Sequence, residues 1–365
     1  MKIAHINAGN EFGGGLVHIV SLLEKLKAEQ IDLIVFEEGP VAQAAREAGV
    51  SVYVFEQKNR FDLSVLYQLR RFILKQDYTI LHTHGPRANS LMAFLSPFLT
   101  VKWVITVHSH PLLDFKDRGS MGKMFELIHL KTFKRADGII TVSHEISTFL
   151  KSQGIPACCI KVIHNGIRFS DSKERSASVS QKRFTLVTVG RLTKIKGYDV
   201  LMDALSEFTE QNWQWDICGD GEEMNALKRK GEAYDLMDHL NFKGWLSGAE
   251  IREALREADV FILPSLSEGF PMILLEAADE KTPVIATDVG DVREVIRDAS
   301  MGWLVAPGDA DALKDALSEA YDLWKKDQLS IKGHHLRTFA SRFSIEKQSQ
   351  SVLVFYNEIM AEHRK

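Results

Sequence analysis

Cysteine is scarce in this chain of 365 residues, which holds only Cys158, Cys159 and Cys218. Two are neighbours and the third is far away, so they offer neither a metal-ligand spacing nor a disulfide framework. A reducing cytosol is the expected setting. Long apolar runs are missing as well. The most apolar stretch, residues 91–107, is broken by Pro97 and Lys102. It falls short of the about 20 residues that a membrane span needs. The opening MKIAHINAGN runs straight into a strand pattern and lacks the apolar core of a leader peptide. No repeat of fixed period is found, which argues against a solenoid or a repeat array. Two phosphate-binding signatures are also absent: the spaced G-x-G-x-x-G and the P-loop ending in Gly-Lys-Ser/Thr.

What is present is ordinary globular composition, with 45% hydrophobic and 26% charged residues. The length points to two domains. The net charge of −4 is unevenly spread: residues 1–180 hold 22 Lys+Arg against 17 Asp+Glu, and residues 181–365 hold 23 against 32. The first half is therefore +5 and the second −9. This asymmetry reads either as solvated surface or as a first half that meets something anionic.

Short β-branched runs alternate with longer helical patterns. KIAHINA, DLIVFEE, SVYVFE, TILHTH, KWVITVH, GIITVS and KVIHNG read as buried strands. Segments such as LVHIVSLLEKLKAE between them carry apolar residues at three- and four-residue steps. The stretch 170–183, SDSKERSASVSQKR, is polar and reads as a linker. Alternation resumes with FTLVTVG, WQWDICG, LNFKGW, DVFILPS, PVIATDV and GWLVAP. The expectation is α/β: a first doubly wound domain over 1–169, a second over 184–343, and a last helix within 344–365 crossing back to the first. Two such domains facing each other make a cleft, and ligands of open α/β sheets bind beyond the carboxyl ends of the strands.

Strand ends are therefore where chemistry is expected. Gly13, Gly14 and Gly15 follow the first strand and open a helix, where backbone N–H groups favour an anion. A plain tight turn explains them as well. In GRLTKIKG, Arg191 and Lys196 bracket the loop after the first strand of the second domain. Two cations there suit a diphosphate, and ordinary surface charge is the other reading. In SEGFPMILLEA, Glu268 sits in a loop and Pro271 suits the first position of a helix that carries Glu276. A helix N-terminus with a carboxylate on either side fits a nucleotide sugar, with diphosphate at the helix end and hydroxyl pairs at the acids. His108 ends the strand KWVITVH, where it is either a structural histidine or part of a site. Asp309-Ala310-Asp311, the sole Asp-x-Asp triplet, reads as a helix start rather than a metal site.

Taken together, these residues resemble the glycosyltransferase family 4 group of retaining, nucleotide-sugar-dependent enzymes with the GT-B fold. The resemblance is carried by residues 13–15, His108, the HNG turn at 164–166, GRLTKIKG at 190–197, GDG at 219–221 and the E-x7-E motif from Glu268 to Glu276. The closing segment FSIEKQSQSVLVFYNEI belongs to it too. The resemblance implies that Arg191 and Lys196 hold the diphosphate of a nucleoside diphosphate sugar. It implies that Glu276 binds the ribose and Glu268 the donor hexose. Gly269, Phe270 and Pro271 would present backbone to that sugar, His108 would orient it, and Gly14 and Gly15 would bring N–H groups to the phosphate. No metal or other cofactor is implied. The chain departs from the family where G-G-A-E is usual, because Leu16 stands in place of the acid. It departs again at the HNG turn, where a proline-led turn followed by an acid is common.

The implied reaction moves a hexosyl group to an acceptor hydroxyl with retention, in cell-surface polysaccharide or glycolipid assembly. A nucleotide-sugar epimerase and an inactive sugar-nucleotide-binding partner subunit are the rivals. The segment 111–135 mixes apolar residues with lysines and arginines. It reads either as contact with an anionic membrane, which fits a lipid-linked glycan acceptor at its cytoplasmic face, or as core packing beside a soluble acceptor. No nucleic-acid partner is expected.

Overall fold

The computed structural model describes residues 1–57, 62, 64–112, 129–170 and 183–361. Most of the expected linker and of the basic segment after His110 lie outside them. The chain divides into two compact units, Met1–Gly166 with Ser344–Lys365, and Ile167–Phe343.

The first unit contains seven strands: β1 (Lys2–Asn7), β2 (Gln30–Val35), β3 (Ser51–Val54), β4 (Ile80–His84), β5 (Lys102–Val107), β6 (Gly138–Thr141) and β7 (Ile160–Val162). Among the described residues its helices before the second unit are α1 (Gly14–Leu26), α2 (Pro40–Glu47), α3 (Ser64–Gln76), α4 (Pro86–Leu95) and α5 (His144–Ser152). All its strand pairings are parallel, in the order β3-β2-β1-β4-β5-β6-β7. Strands such as LHTH within β4 are buried along their whole length because helices cover both faces.

The second unit repeats the plan with β8 (Phe184–Val189), β9 (Trp213–Cys218), β10 (Leu240–Gly244), β11 (Val260–Leu263), β12 (Val284–Thr287) and β13 (Trp303–Val305). Its helices are α6 (Tyr198–Ser206), α7 (Met224–Ala233), α8 (Gly248–Glu257), α9 (Met272–Asp279), α10 (Ala310–Lys325) and α11 (Ser330–Ala340). The strand order is β10-β9-β8-β11-β12-β13, again parallel. Each unit is thus a doubly wound sheet in which the order reverses beside its first strand. Asp309 caps α10, its carboxylate accepting from the Ala312 N–H, so the Asp-x-Asp triplet is a helix start as read from sequence.

The closing helix, α12 (Ile345–Ala361), belongs to the first unit. Its residues Ile345, Val352, Phe355, Tyr356 and Ile359 join the core formed by β1, β2, α1 and α2. It rests directly on β6: a Cβ on Gly138 would stand 2.3 Å from Ile359 Cδ1 and 2.9 Å from Phe355 Cζ. A larger residue there would have to push these two side chains aside. Burying Phe355 and Ile359 stabilises the unit by about 2 kcal/mol each. Among the described residues no helix is long and apolar enough to cross a membrane.

Candidate functional site

In the second unit the sheet order reverses between β8 and β11, which pair in parallel. The loops that leave these two strands carry the expected donor residues. The loop after β8 holds Arg191 and makes a short 3-10 turn at Lys194–Lys196. It is tied to the loop after β11 by the Leu266 N–H donating to the Ile195 carbonyl at 2.7 Å. Gly197 ends the turn with φ 64°, and a Cβ there would lie 2.1 Å from the Pro264 carbonyl oxygen. The glycine therefore serves both a left-handed bend and the close approach of the two loops.

That approach sets Lys196 Nζ 2.6 Å from Glu268 Oε1. The same carboxylate oxygen accepts from Ser265 Oγ at 2.6 Å. The Glu268 side chain is only 12% exposed and that of Lys196 27%, so the pair is largely withdrawn from water. Arg191 differs. Its guanidinium is exposed and makes a long 3.5 Å contact with Glu222. It is available to a ligand without breaking a strong pair.

Gly269, Phe270 and Pro271 are all buried. The Phe270 ring packs against Phe343 at 5.0 Å between centroids, so its side chain is core and its backbone is what remains for a ligand. Pro271 is the cap rather than the first helical residue: α9 starts one position later, at Met272, because Pro271 keeps an extended ψ of 117°. Glu276 lies one turn into α9 and is half-buried. Burial raises its carboxyl above the ordinary 4.5, Asp279 adds to the rise, and Arg252 opposes it. A carboxyl raised by its surroundings beside a helix start differs from a wet surface charge. Asp279, one turn further, is held by Arg252 at 3.0 Å and Arg337 at 3.0 Å.

In the first unit the order reverses between β1 and β4. Gly13 caps α1 with φ 65°, and Gly14 and Gly15 form its first turn. Beside them sits a carboxylate that sequence reasoning passed over. Glu11 Oε1 accepts from Asn7 Nδ2 at 2.9 Å. Its other oxygen lies 2.6 Å from where a Cβ on Gly15 would be. The acid missing after the glycines is thus matched by one before them.

His108 follows β5 and is half-buried. Its Nε2 lies 3.1 Å from His84 Nδ1, and its ring meets His18 edge-on at 4.5 Å. Burial and the neighbouring His18 hold it well below the usual histidine range, so it is a neutral imidazole. Sequence reasoning singled out His108 but not His5, His18, His82 and His84. The period-two spacing of His82 and His84 within one buried strand was the available signal.

Comparison with known proteins follows the same division. Residues 12–170 match the model described as Glycosyltransferase Family 4, and residues 170–333 match the model described as Glycosyl transferases group 1. The UDP-Gal:alpha-D-GlcNAc-diphosphoundecaprenol alpha-1,3-galactosyltransferase of Escherichia coli is 28% identical over 346 residues, covering 88% of each chain. The phosphatidyl-myo-inositol mannosyltransferase of Mycobacterium leprae is 27% identical, covering 84% of this chain and 83% of that one. The crystal structure of Anabaena HepE in complex with UDP-glucose superposes with a TM-score of 0.86 at 19% identity, covering 98% of this chain and all of that one. Two adjoining family matches, two parallel doubly wound sheets and whole-chain structural likeness agree: the chain belongs to glycosyltransferase family 4 and has the GT-B fold.

Proposed function

We propose that this glycosyltransferase moves a hexosyl group from a nucleoside diphosphate sugar to a lipid-linked glycan acceptor, with retention of configuration and without a metal. The observation that carries the reading is the Lys196–Glu268–Ser265 cluster at the point where the second sheet reverses. An ammonium has three N–H donors and Glu268 engages one, leaving two for a diphosphate. As the bond to the hexose breaks, negative charge grows on the departing diphosphate and positive charge on the sugar ring. Lys196 and Arg191 face the first kind of charge and the Glu268 carboxylate the second. Preorganised charge of this kind is an effective form of catalysis. Glu276 takes the ribose hydroxyls, and the backbone of Gly269, Phe270 and Pro271 borders the sugar; the first unit's own candidates for donor contact are His108, Gly14 and Gly15.

The lipid-linked acceptor is supported by the two relatives, whose names specify a diphosphoundecaprenol-linked sugar and a phosphatidylinositol. A surface of the first unit supports it too. Tyr67, Phe94 and Phe98 are 72%, 57% and 66% exposed. Arg70 and Arg71 stand exposed on the same α3, and Arg70 Nε donates to the Phe98 carbonyl at 3.3 Å. Aromatic rings interleaved with guanidinium groups suit an anionic lipid surface at the cytoplasmic side.

The test is incubation with UDP- and GDP-sugars, a short polyprenyl diphosphate-linked sugar and EDTA, with products read by mass spectrometry and anomeric configuration by NMR. Acceptor-dependent transfer with retention supports the reading. Sugar interconversion without acceptor points to an epimerase, and donor binding without turnover to an inactive partner subunit.

A further inference from the structure

Five histidines of the first unit cluster beneath the strand ends. Ring centroids lie 4.6 Å apart for His5 and His82, 4.4 Å for His82 and His84, and 5.4 Å for His84 and His108. His5, His82 and His84 have no exposure at all, while His108 is half-buried. Burial is the first cause that keeps each of them neutral; His5 is pushed down to about 3 and His18 to about 4.

The contacts form one unbranched row. Thr106 Oγ1 meets His82 Nε2 at 2.6 Å, and His82 Nδ1 meets the Tyr356 hydroxyl at 2.5 Å. That hydroxyl meets His5 Nε2 at 3.1 Å, and His5 Nδ1 meets His84 Nε2 at 2.9 Å. His84 Nδ1 then meets His108 Nε2 at 3.1 Å. A neutral imidazole has one donor and one acceptor nitrogen. Once both are engaged, the sense of one bond fixes the next. The row therefore runs as a whole, either inward from His108 or outward from Thr106.

Thr106 decides between the two. It is 2% exposed, and His82 is the sole hydrogen-bond partner of its hydroxyl among the described residues. If His82 donates to it, the threonine hydrogen is buried without an acceptor, an unfavourable arrangement. If Thr106 donates, every hydrogen is used: Thr106 to His82, His82 to Tyr356, Tyr356 to His5, His5 to His84, His84 to His108. A phenol that accepts from both neighbours strands its own hydrogen instead. In the outward sense His108 Nε2 is an acceptor, so its proton resides on Nδ1.

We propose that Thr106, His82, Tyr356, His5 and His84 are positioning residues that lock His108 as the Nδ1–H tautomer and orient that N–H as a donor to the bound sugar. The sugar contact rests on the proposed function; the tautomer does not. A divalent metal on His18, His84 and His108, whose ligand atoms lie within 4.8 Å of one another, is incompatible with this row. It would need lone pairs on both His84 Nδ1 and His108 Nε2. His18 argues against it as well: the Gly166 N–H donates to Gln348 Oε1 at 2.9 Å, so Gln348 Nε2 donates to His18 Nδ1 and the proton lies on His18 Nε2.

The experiment is long-range proton–nitrogen NMR on the full chain labelled with 15N-histidine, with His108 assigned by substitution. A protonated, pyrrole-type Nδ1 and a bare, pyridine-type Nε2 are expected at His108. The reverse pattern overturns the proposal, as does a zinc titration that shifts His84 and His108 together at one equivalent. Thr106→Val removes only the terminal donor, and Thr106→Ser restores it. The valine variant should show mixed tautomers at His108 and a roughly tenfold lower kcat at unchanged donor KM, the loss of about one net hydrogen bond. The serine variant should match the parent. An unchanged tautomer in Thr106→Val sinks the relay. A parent chain that shows the tautomer but no transfer sinks the proposed function and leaves the relay standing.

Discussion

Lys196 Nζ lies 2.6 Å from Glu268 Oε1, joining the loop after β8 to the loop after β11. Removing one partner strands the other in a setting largely closed to water. Lys196→Ala should cost about 1–3 kcal/mol of stability in the second unit and lower transfer by two or more orders of magnitude. Glu268→Gln keeps the shape and loses the charge, so its stability loss should be smaller and its activity loss similar. Urea unfolding and initial rates on both variants, with the double variant, give the coupling. Additive effects would show that the two residues act separately.

Glu276 gives a test in which stability and binding move in opposite directions. Its folded value is raised, so the folded state holds the proton more tightly than the unfolded chain does. That contribution is complete below the ordinary 4.5 and is lost as pH rises through the raised value. At neutral pH the ionised group is a burden on the fold. Glu276→Gln should therefore raise Tm by a few degrees at pH 7, and the gain should vanish toward pH 4. Nucleotide affinity, read by calorimetry, should fall at the same time. A lower Tm at pH 7 would contradict the buried-carboxyl account.

The histidine row predicts an acid limb with the opposite slope. Its histidines His5, His82, His84 and His108 titrate below 6.5 in the folded unit and near 6.5 in the unfolded chain. Between those limits the unfolded chain takes up protons that the folded unit excludes. Stability is thus present above 6.5 and falls as pH drops, by up to about 1.4 kcal/mol per pH unit for each histidine. Urea midpoints between pH 8 and 4.5 should fall steeply below 6.5. A flat profile over that range would show that the cluster is already charged.

Gly197→Ala addresses geometry without touching a charged group. Its Cβ would collide with the Pro264 carbonyl in a left-handed conformation. We expect a loss of about 2 kcal/mol or more and a displaced Lys196. A crystal structure of the variant with the Lys196–Glu268 contact intact would refute this.

Phe94→Ser with Phe98→Ser removes exposed apolar area and no core. Flotation with anionic vesicles at low salt should weaken severalfold relative to the parent, with Tm unchanged. Equal flotation of parent and variant would place the membrane surface elsewhere.

The thirteen strands of the described residues were legible as short β-branched runs with a polar break at each end, but the edge strands β3 and β10 are only partly buried, because each has a neighbour on one side alone. The E-x7-E spacing and the cations of the β8 loop were legible for the same reason: strand ends mark where ligands bind. Two things were not. The start of α9 slipped by one residue, since proline fixes φ but leaves ψ to the tertiary setting. The histidine row stayed hidden because its members come from β1, β4, β5 and α12. Their meeting depends on β1 lying beside β4 and on a tyrosine more than 250 residues downstream of His84. Sequence periodicity holds no information on that adjacency. Glu11 was missed because it precedes the glycines, where a loop acid has no pattern to betray it.

The helix that rests on Gly138 is made only after the whole of the second unit, Ile167–Phe343, has been synthesised. A ribosome adding about 5–20 residues per second spends roughly 9–35 s on the second unit after finishing Gly166. Through that interval the first sheet waits with the Gly138 groove uncovered, and the nascent second unit is free to fold ahead of it. Synthesis of Ile345–Ala361, not emergence of the N-terminal half, supplies the segment that closes the earlier domain. A stop codon placed just before Ile345 would therefore strike the first unit. Pulse-labelled ribosome complexes should show residues 1–166 sensitive to protease until residues 345–361 have emerged, and the later unit protected before then.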